Sequence, residues 1–348
     1  MHHRERFETL WSIQYLRAAA ALMVVWHHAL HQVEDYEALL PRSSFGANGV
    51  DLFFVISGLI MVLTTQGRDV SPWDFARRRL IRIVPLYWLV TIGIVIGVSL
   101  APGLFKTTDI GWRHVAQSLL FIPHYSPSFP SMVWPVLVPG WSLNYEMFFY
   151  GLFALCLFLP ARRTVPAVLT LLGSLVAAGA LWGPFADASL VSYTNPMLLQ
   201  FGCGVVIGWL HCHQRLDIGP WLAAGLGATG TVLLCLDISD AYRLTALSGS
   251  AALVLSALSP AVAGWQSEFW RRLGDASYSI YLTHIPALGV ARLLYLQLAS
   301  GENSLPGAAS FMLVALTLSC AAGCLCHRLL ELPLLAALSR RRASGARG

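Results

Sequence analysis

The sequence predicts an all-α fold: a polytopic membrane helix bundle of about ten transmembrane helices, with the N- and C-termini cytoplasmic. Three observations predict it. The 348 residues are 56% hydrophobic and 12% charged, with a mean hydropathy of +0.61. A soluble globular chain carries about 25% charged residues. Half that charge cannot coat a water-facing surface of this size, which excludes a soluble enzyme, a disordered chain and a nucleic-acid binder. Second, ten stretches approach the roughly 20 apolar residues that a bilayer crossing needs. Third, the net charge of +5 is carried by 22 Arg and a single Lys, Lys106, and these fall unevenly between the stretches.

In chain order the spans are 13–31, 49–66, 80–101, 141–160, 164–182, 195–211, 219–236, 242–263, 277–298 and 306–330. The first is too long for a cleavable signal, carries Arg17, and has no small-residue cleavage site after it. The stretch 114–123 is too short to span and is expected to lie at the interface or re-enter. With the N-terminus inside and ten alternating spans, 16 of the 23 basic residues are cytoplasmic, among them Arg77, Arg78, Arg79, Arg82, Arg162, Arg163, Arg215, Arg271 and Arg272. Only Arg42, Lys106, Arg113 and Arg243 fall outside. An eleventh span would reverse this bias over Arg162, Arg163 and Arg215, so the positive-inside rule favours ten. The longest extramembrane stretch is 102–140, on the outer side. Pro123, Pro127, Pro130, Pro135 and Pro139 forbid a regular helix there; a functional lid and a plain spacer both suit it. No internal repeat is visible, and no soluble domain is expected beyond the bundle.

Ionisable residues inside spans are costly and mark function. Arg17 and His28 are 11 residues apart, which returns a helix to within about 20° of its starting direction and separates them by about 16 Å along the axis. His27 lies about 80° from Arg17. Asp51 enters span two from the outer side near the depth of His28, and Glu146 enters span four a little over one turn in. Either carboxylate would fix the tautomer of an adjacent imidazole; Asp51 would equally serve as a helix cap. On the cytoplasmic side Arg79 and Arg82 share a helix face. Arginine forks suit phosphate oxygens. Head-group anchoring accounts for Arg77 and Arg78 but less well for Arg82, which is drawn further into the apolar run. Phosphate-binding groups at one end and an acid–base cluster at the other suit a coenzyme A thioester.

Metal chemistry is not expected. His211-Cys212-His213 and Cys324-Leu325-Cys326-His327 each lack a second ligand pair at matched spacing. The seven Cys form no paired framework and read as small apolar residues.

These residues resemble the membrane-bound acyltransferase-3 family of polytopic O-acyltransferases. The resemblance is carried by Leu16-Arg17 with His28, by Gly49-Val50-Asp51-Leu52-Phe53-Phe54 with Ser57-Gly58, and by Arg79 and Arg82 with Pro85 and Tyr87. It continues through Trp141-Ser142-Leu143 with Glu146, Phe149 and Tyr150, then Leu273-Gly274-Asp275-Ala276-Ser277-Tyr278-Ser279-Ile280-Tyr281-Leu282 with His284, and Glu331 with Pro333. It spans nearly the whole chain. The opening Ile13-Gln14-Tyr15-Leu16-Arg17 further resembles exopolysaccharide O-acetyltransferases.

The resemblance implies an acyltransferase-3 transmembrane domain over 1–335, a basic cytoplasmic tail over 336–348, and a multi-pass location in the cell inner membrane. It implies transfer of an acyl group, commonly acetyl, from acyl-CoA to a hydroxyl of a cell-surface carbohydrate, an exopolysaccharide or its lipid-linked precursor. His28 would be the catalytic base, oriented by Asp51 or Glu146, and Arg17, Arg79 and Arg82 would bind the donor. Direct transfer and a transient acyl-imidazole both remain open. The expected partners are the bilayer, the carbohydrate acceptor and separate polysaccharide-assembly proteins, with no nucleic acid. The alternative from another class is an exporter or flippase of a glycan or glycolipid, with the same polar residues lining a path. It predicts no thioester turnover, and the missing inverted repeat weighs against it.

Overall fold

The computed structural model describes residues 2–32, 45–104, 108–236, 238, 243–298 and 305–345. Arg42, Lys106 and Arg347, used in the charge argument, lie outside the described residues, as does the end of the expected tail. All regular structure among the described residues is helical. Four stretches are long and apolar enough to cross a membrane: Pro72–Leu100, Ala161–Trp182, Ala188–Cys212 and Leu305–Ser339. Gly49–Thr65, Pro220–Cys235 and Leu244–Ala257 are shorter apolar helices.

The chain forms two compact units, residues 1–60 with 203–327, and 61–202 with 328–348. The first unit is built on α1 (His2–Leu30) and takes in the start of α2 (Gly49–Thr65). α3 (Pro72–Leu100), α4 (Trp112–Leu119), α5 (Gly140–Cys156), α6 (Ala161–Trp182) and α7 (Ala188–Tyr193) follow in the second unit. α8 (Leu198–Cys212) returns the chain to the first, which is completed by α9 (Pro220–Cys235), α10 (Leu244–Ala257), α11 (Pro260–Ala263), α12 (Glu268–Asp275), α13 (Ser277–Leu298) and α14 (Leu305–Cys326). A π-helical turn at His327–Glu331 leads into α15 (Leu332–Gly345), which belongs to the second unit.

In the first unit α1 packs against α10 to α14. Ala18, Ala21 and Ala29 on α1 join Ala291, Ala308 and Ala315 on α13 and α14 in one buried cluster. Small residues let helix backbones approach closely, the packing mode available where lipid offers no hydrophobic gain. Gly49 shows why: a Cβ there would lie 2.6 Å from the Ala20 carbonyl oxygen, so only glycine lets α2 start against α1 at this depth. In the second unit α3 lies along α5, with Phe75 stacked on Phe153 at 5.3 Å between ring centroids. Phe149 in turn stacks on Phe201 at 4.4 Å.

Several boundaries differ from the sequence-based spans. α3 begins at Pro72, eight residues before the apolar run, because Pro at the first helical position and Asp74 in the first turn start a helix that charged residues do not interrupt. Arg79 and Arg82 therefore stand about two to three turns into a helix rather than at its mouth. The single span over 242–263 is divided, α10 ending at Ala257 and α11 starting at Pro260. Proline holds the preceding Ser259 in an extended conformation, ψ 135°. The stretch at 114–123 is entered by the eight-residue α4, which begins at Trp112 and ends at Leu119.

Candidate active site

The histidines sit at the end of α1. The His28 Nδ1 lies 3.0 Å from the Val24 carbonyl oxygen, one turn back, and 3.3 Å from Nε2 of His284 on α13. The two rings are 4.9 Å apart at 57°. Because a carbonyl only accepts, the neutral His28 ring carries its proton on Nδ1 and its lone pair on Nε2. His27 is held differently. Its Nδ1 is buried with no hydrogen-bond partner among the described residues. A Cβ on Gly46 would lie 2.5 Å from the His27 Cβ, so the chain leading into α2 is pressed onto this residue. Arg17 donates from Nη1 to Gln14 Oε1 at 3.0 Å, and both Arg17 and His28 are partly buried.

The expected carboxylate beside His28 is replaced by His284: among the described residues the hydrogen bonds of the His28 ring go to Val24 and His284. Asp51, fully buried, faces an arginine instead. Arg243 Nε and Nη2 fork its two carboxylate oxygens at 2.9 and 2.5 Å. Arg243 Nη2 also reaches Asn48 Oδ1 at 3.2 Å, and Asn48 donates to the Leu234 carbonyl at 3.0 Å. Arg243 has a φ of +51°, rare for a residue with a side chain, at the start of α10. The fork holds it there. Neither reading of Asp51 from the sequence included this partner, 192 residues away. Removing one side of a buried pair strands the other charge at a cost of roughly 3–5 kcal/mol. Arg243 is about one-third exposed, which places Arg243→Ala at the low end, about 3 kcal/mol. Arg243→Lys should lose less. Thermal melts in detergent check this, and an unchanged Arg243→Ala melt would mean Asp51 does not depend on the fork.

The second unit gathers the remaining predicted residues. Arg77 and Arg78 are exposed, whereas Arg79 and Arg82 are partly buried. Arg79 Nη2 donates to Thr64 Oγ1 at 3.2 Å, and its guanidinium lies 5.3 Å from the Phe75 ring centroid and 5.5 Å from that of Tyr150. Its Nε is buried with no hydrogen-bond partner among the described residues. Arg82 pairs with Glu331, which is 1% exposed in the π turn. Glu146 accepts a short hydrogen bond from the Tyr150 hydroxyl and lies within electrostatic reach of Arg79. Within this unit Glu146 is thus grouped with Tyr150 and Arg79, partners that the sequence reading, which set it beside an imidazole, did not include. Sequence reasoning missed His284, Arg243 and Glu331 as partners. His284 and Glu331 were visible as motif residues, and Arg243 only as one of the few outer cations.

Outside the spans, hydrogen bonds from Arg271 and Arg272 hold the Glu268 carboxyl down at about 2. His114 is pushed below the usual imidazole range by burial and then by His124, whose Nε2 lies 2.6 Å from His114 Nδ1. No cluster of three metal-ligating side chains occurs among the described residues.

Residues 10–324 match the acyltransferase domain of the acyltransferase-3 type. The exopolysaccharide production protein ExoZ of Rhizobium meliloti is 39% identical over 86% of this chain and 93% of its own length. The acyltransferase MdmB of Streptomyces mycarofaciens is 27% identical over 95% of this chain and 93% of its own. The peptidoglycan O-acetyltransferase OatA of Listeria monocytogenes is 26% identical over 80% of this chain and 49% of its own. No solved structure matches. A match over nearly the whole helical chain makes this protein a multi-pass membrane acyltransferase that belongs to the acyltransferase-3 family.

Proposed function

We propose that the enzyme moves an acetyl group from cytoplasmic acetyl-CoA to a hydroxyl of a cell-surface carbohydrate, an exopolysaccharide or its lipid-linked precursor. The likeness to an exopolysaccharide production protein over most of both chains supports the acceptor class. The observation that carries the chemistry is the His28 ring, whose Nδ1 is committed to the Val24 carbonyl so that Nε2 is its basic nitrogen. In the proposed step Nε2 takes the proton of the acceptor hydroxyl as its oxygen bonds to the thioester carbonyl carbon. The carbon–sulfur bond then breaks, the electron pair leaves on sulfur, and the proton returns from Nε2 to the thiolate. Arg17, Arg79 and Arg82 serve the donor phosphates. The unpaired buried Nε of Arg79 fits that role, since a buried donor without a partner is costly unless a ligand satisfies it.

The same reading gives ten spans in the inner membrane, the transmembrane domain over 1–335 and a cytoplasmic tail over 336–348. A reporter fused after Gly348 should be active only in its cytoplasmic form, because that orientation keeps 16 of 23 basic residues inside. Periplasmic activity would put the donor arginines on the wrong side.

The function is tested with the purified full-length enzyme in proteoliposomes. Radiolabelled acetyl-CoA should be consumed in the presence of the carbohydrate acceptor, and label should appear on it. Glycan movement across the bilayer without thioester cleavage would overturn the proposal in favour of a carrier.

A further inference from the structure

His284 is fully buried, on a different helix from His28 and 256 residues away in sequence. Its Nδ1 lies 2.7 Å from the Tyr281 carbonyl oxygen. A carbonyl accepts only, so the neutral ring carries its proton on Nδ1 and presents a lone pair at Nε2. That lone pair faces His28 Nδ1 at 3.3 Å. The His28 Nδ1–H is therefore shared between two acceptors, the Val24 carbonyl at 3.0 Å and His284 Nε2. The other tautomer of His28 would turn the Nδ1 lone pair toward two acceptors at once.

We infer that His284 is the positioning residue of the reaction: it fixes the tautomer and ring direction of His28 and so aims Nε2 at the acceptor hydroxyl. The inference rests on the proposed reading of His28 as the base. It replaces the charged orienter expected from the sequence with a neutral one. An imidazole lone pair gives the acceptor that the Nδ1–H needs without placing an unpaired negative charge in a buried site, where such a charge is expensive. His284 does not pass the proton onward, because its own N–H is committed to Tyr281. Its contribution is greatest when His28 is protonated, as the Nδ1–H then becomes a stronger donor.

Two substitutions separate positioning from packing. In His284→Gln the side-chain oxygen reaches the depth of Nε2 and restores an acceptor for His28, but the bond to Tyr281 is lost. In His284→Asn the amide nitrogen sits where Nδ1 was and keeps the Tyr281 bond, but nothing reaches His28. We measure kcat and the KM for acetyl-CoA across pH for the purified full-length enzyme and these variants, with His284→Leu and His28→Gln alongside. Positioning predicts that kcat in His284→Asn and His284→Leu falls by about tenfold or more, the worth of one hydrogen bond felt only as the base works. His284→Gln stays nearer the parent, and the donor KM is unchanged throughout. The acidic limb of the pH–kcat profile moves in His284→Asn and keeps its place in His284→Gln. The inference is overturned if His284→Asn is as active as His284→Gln or more so, or if the profile moves in neither. Parental activity in His28→Gln would instead overturn the reading of His28 as base, whatever the His284 variants do.

Discussion

Membranes carrying His28→Ala should show acyl transfer near background, while His27→Ala at matched expression keeps clear activity. Loss of a general base costs on the order of 10²–10⁴-fold. The two residues are neighbours in sequence with rings 5.2 Å apart, yet their surroundings differ. His28 has an ordered hydrogen-bond environment that leaves one nitrogen basic. His27 is packed under Gly46 with its Nδ1 unsatisfied, which suits a spacer between the α2 approach and α1. A truncation to Ala there removes an unpaired buried atom. The reverse result, with His27 essential and His28 dispensable, would make His27 the base. Full activity in both variants would remove histidine chemistry from this enzyme.

Arg79→Ala and Arg82→Ala should raise the KM for acetyl-CoA by about 10-fold or more each, since each deletes a charge-assisted contact to phosphate worth roughly 1.5–3 kcal/mol. Acceptor KM should change little. Lys at either position should rescue only in part, because the planar fork is lost. The two differ in a second respect. Arg82→Ala also strands the buried Glu331 carboxylate, so it should lower the melting temperature more than Arg79→Ala, which loses only the Thr64 hydrogen bond and the contacts to the Phe75 and Tyr150 rings and leaves the Glu331 pair intact. Adding Glu331→Gln to Arg82→Ala should restore much of the stability and none of the donor affinity. Titration of acetyl-CoA against each variant, with melts run in parallel, reads both effects. Parental donor affinity in both single variants would reduce these arginines to topology anchors.

The class of fold was legible because it is written in composition: sparse charge and long apolar runs leave few alternatives to a helical membrane bundle. Boundaries were less legible where a helix continues through charged residues. The first turns of α3 contain Arg77, Arg78 and Arg79, and hydropathy alone starts that helix too late. The Ser259–Pro260 break inside the eighth span carried its own signal in the proline. For the site, local periodicity could pair residues within a helix, as with Glu146 and Tyr150 four apart. It could not reveal Arg243 opposite Asp51, His284 opposite His28 or Glu331 opposite Arg82, separated by 192, 256 and 249 residues. Such pairs follow from which helices pack together, and no periodicity encodes that. Depth along a span suggested a carboxylate for His28, but depth says nothing about direction around the bundle, and Asp51 turns to an arginine.

Mass spectrometry of surface polysaccharide tests the central claim most directly, comparing cells that lack the gene with the same cells complemented by the parental enzyme or by His28→Ala. The account predicts a mass increment of one acetyl group on a sugar hydroxyl with the parental enzyme, absent without the gene and absent with His28→Ala. Polysaccharide of identical acetyl content in all three, or acetylation fully restored by His28→Ala, would contradict it.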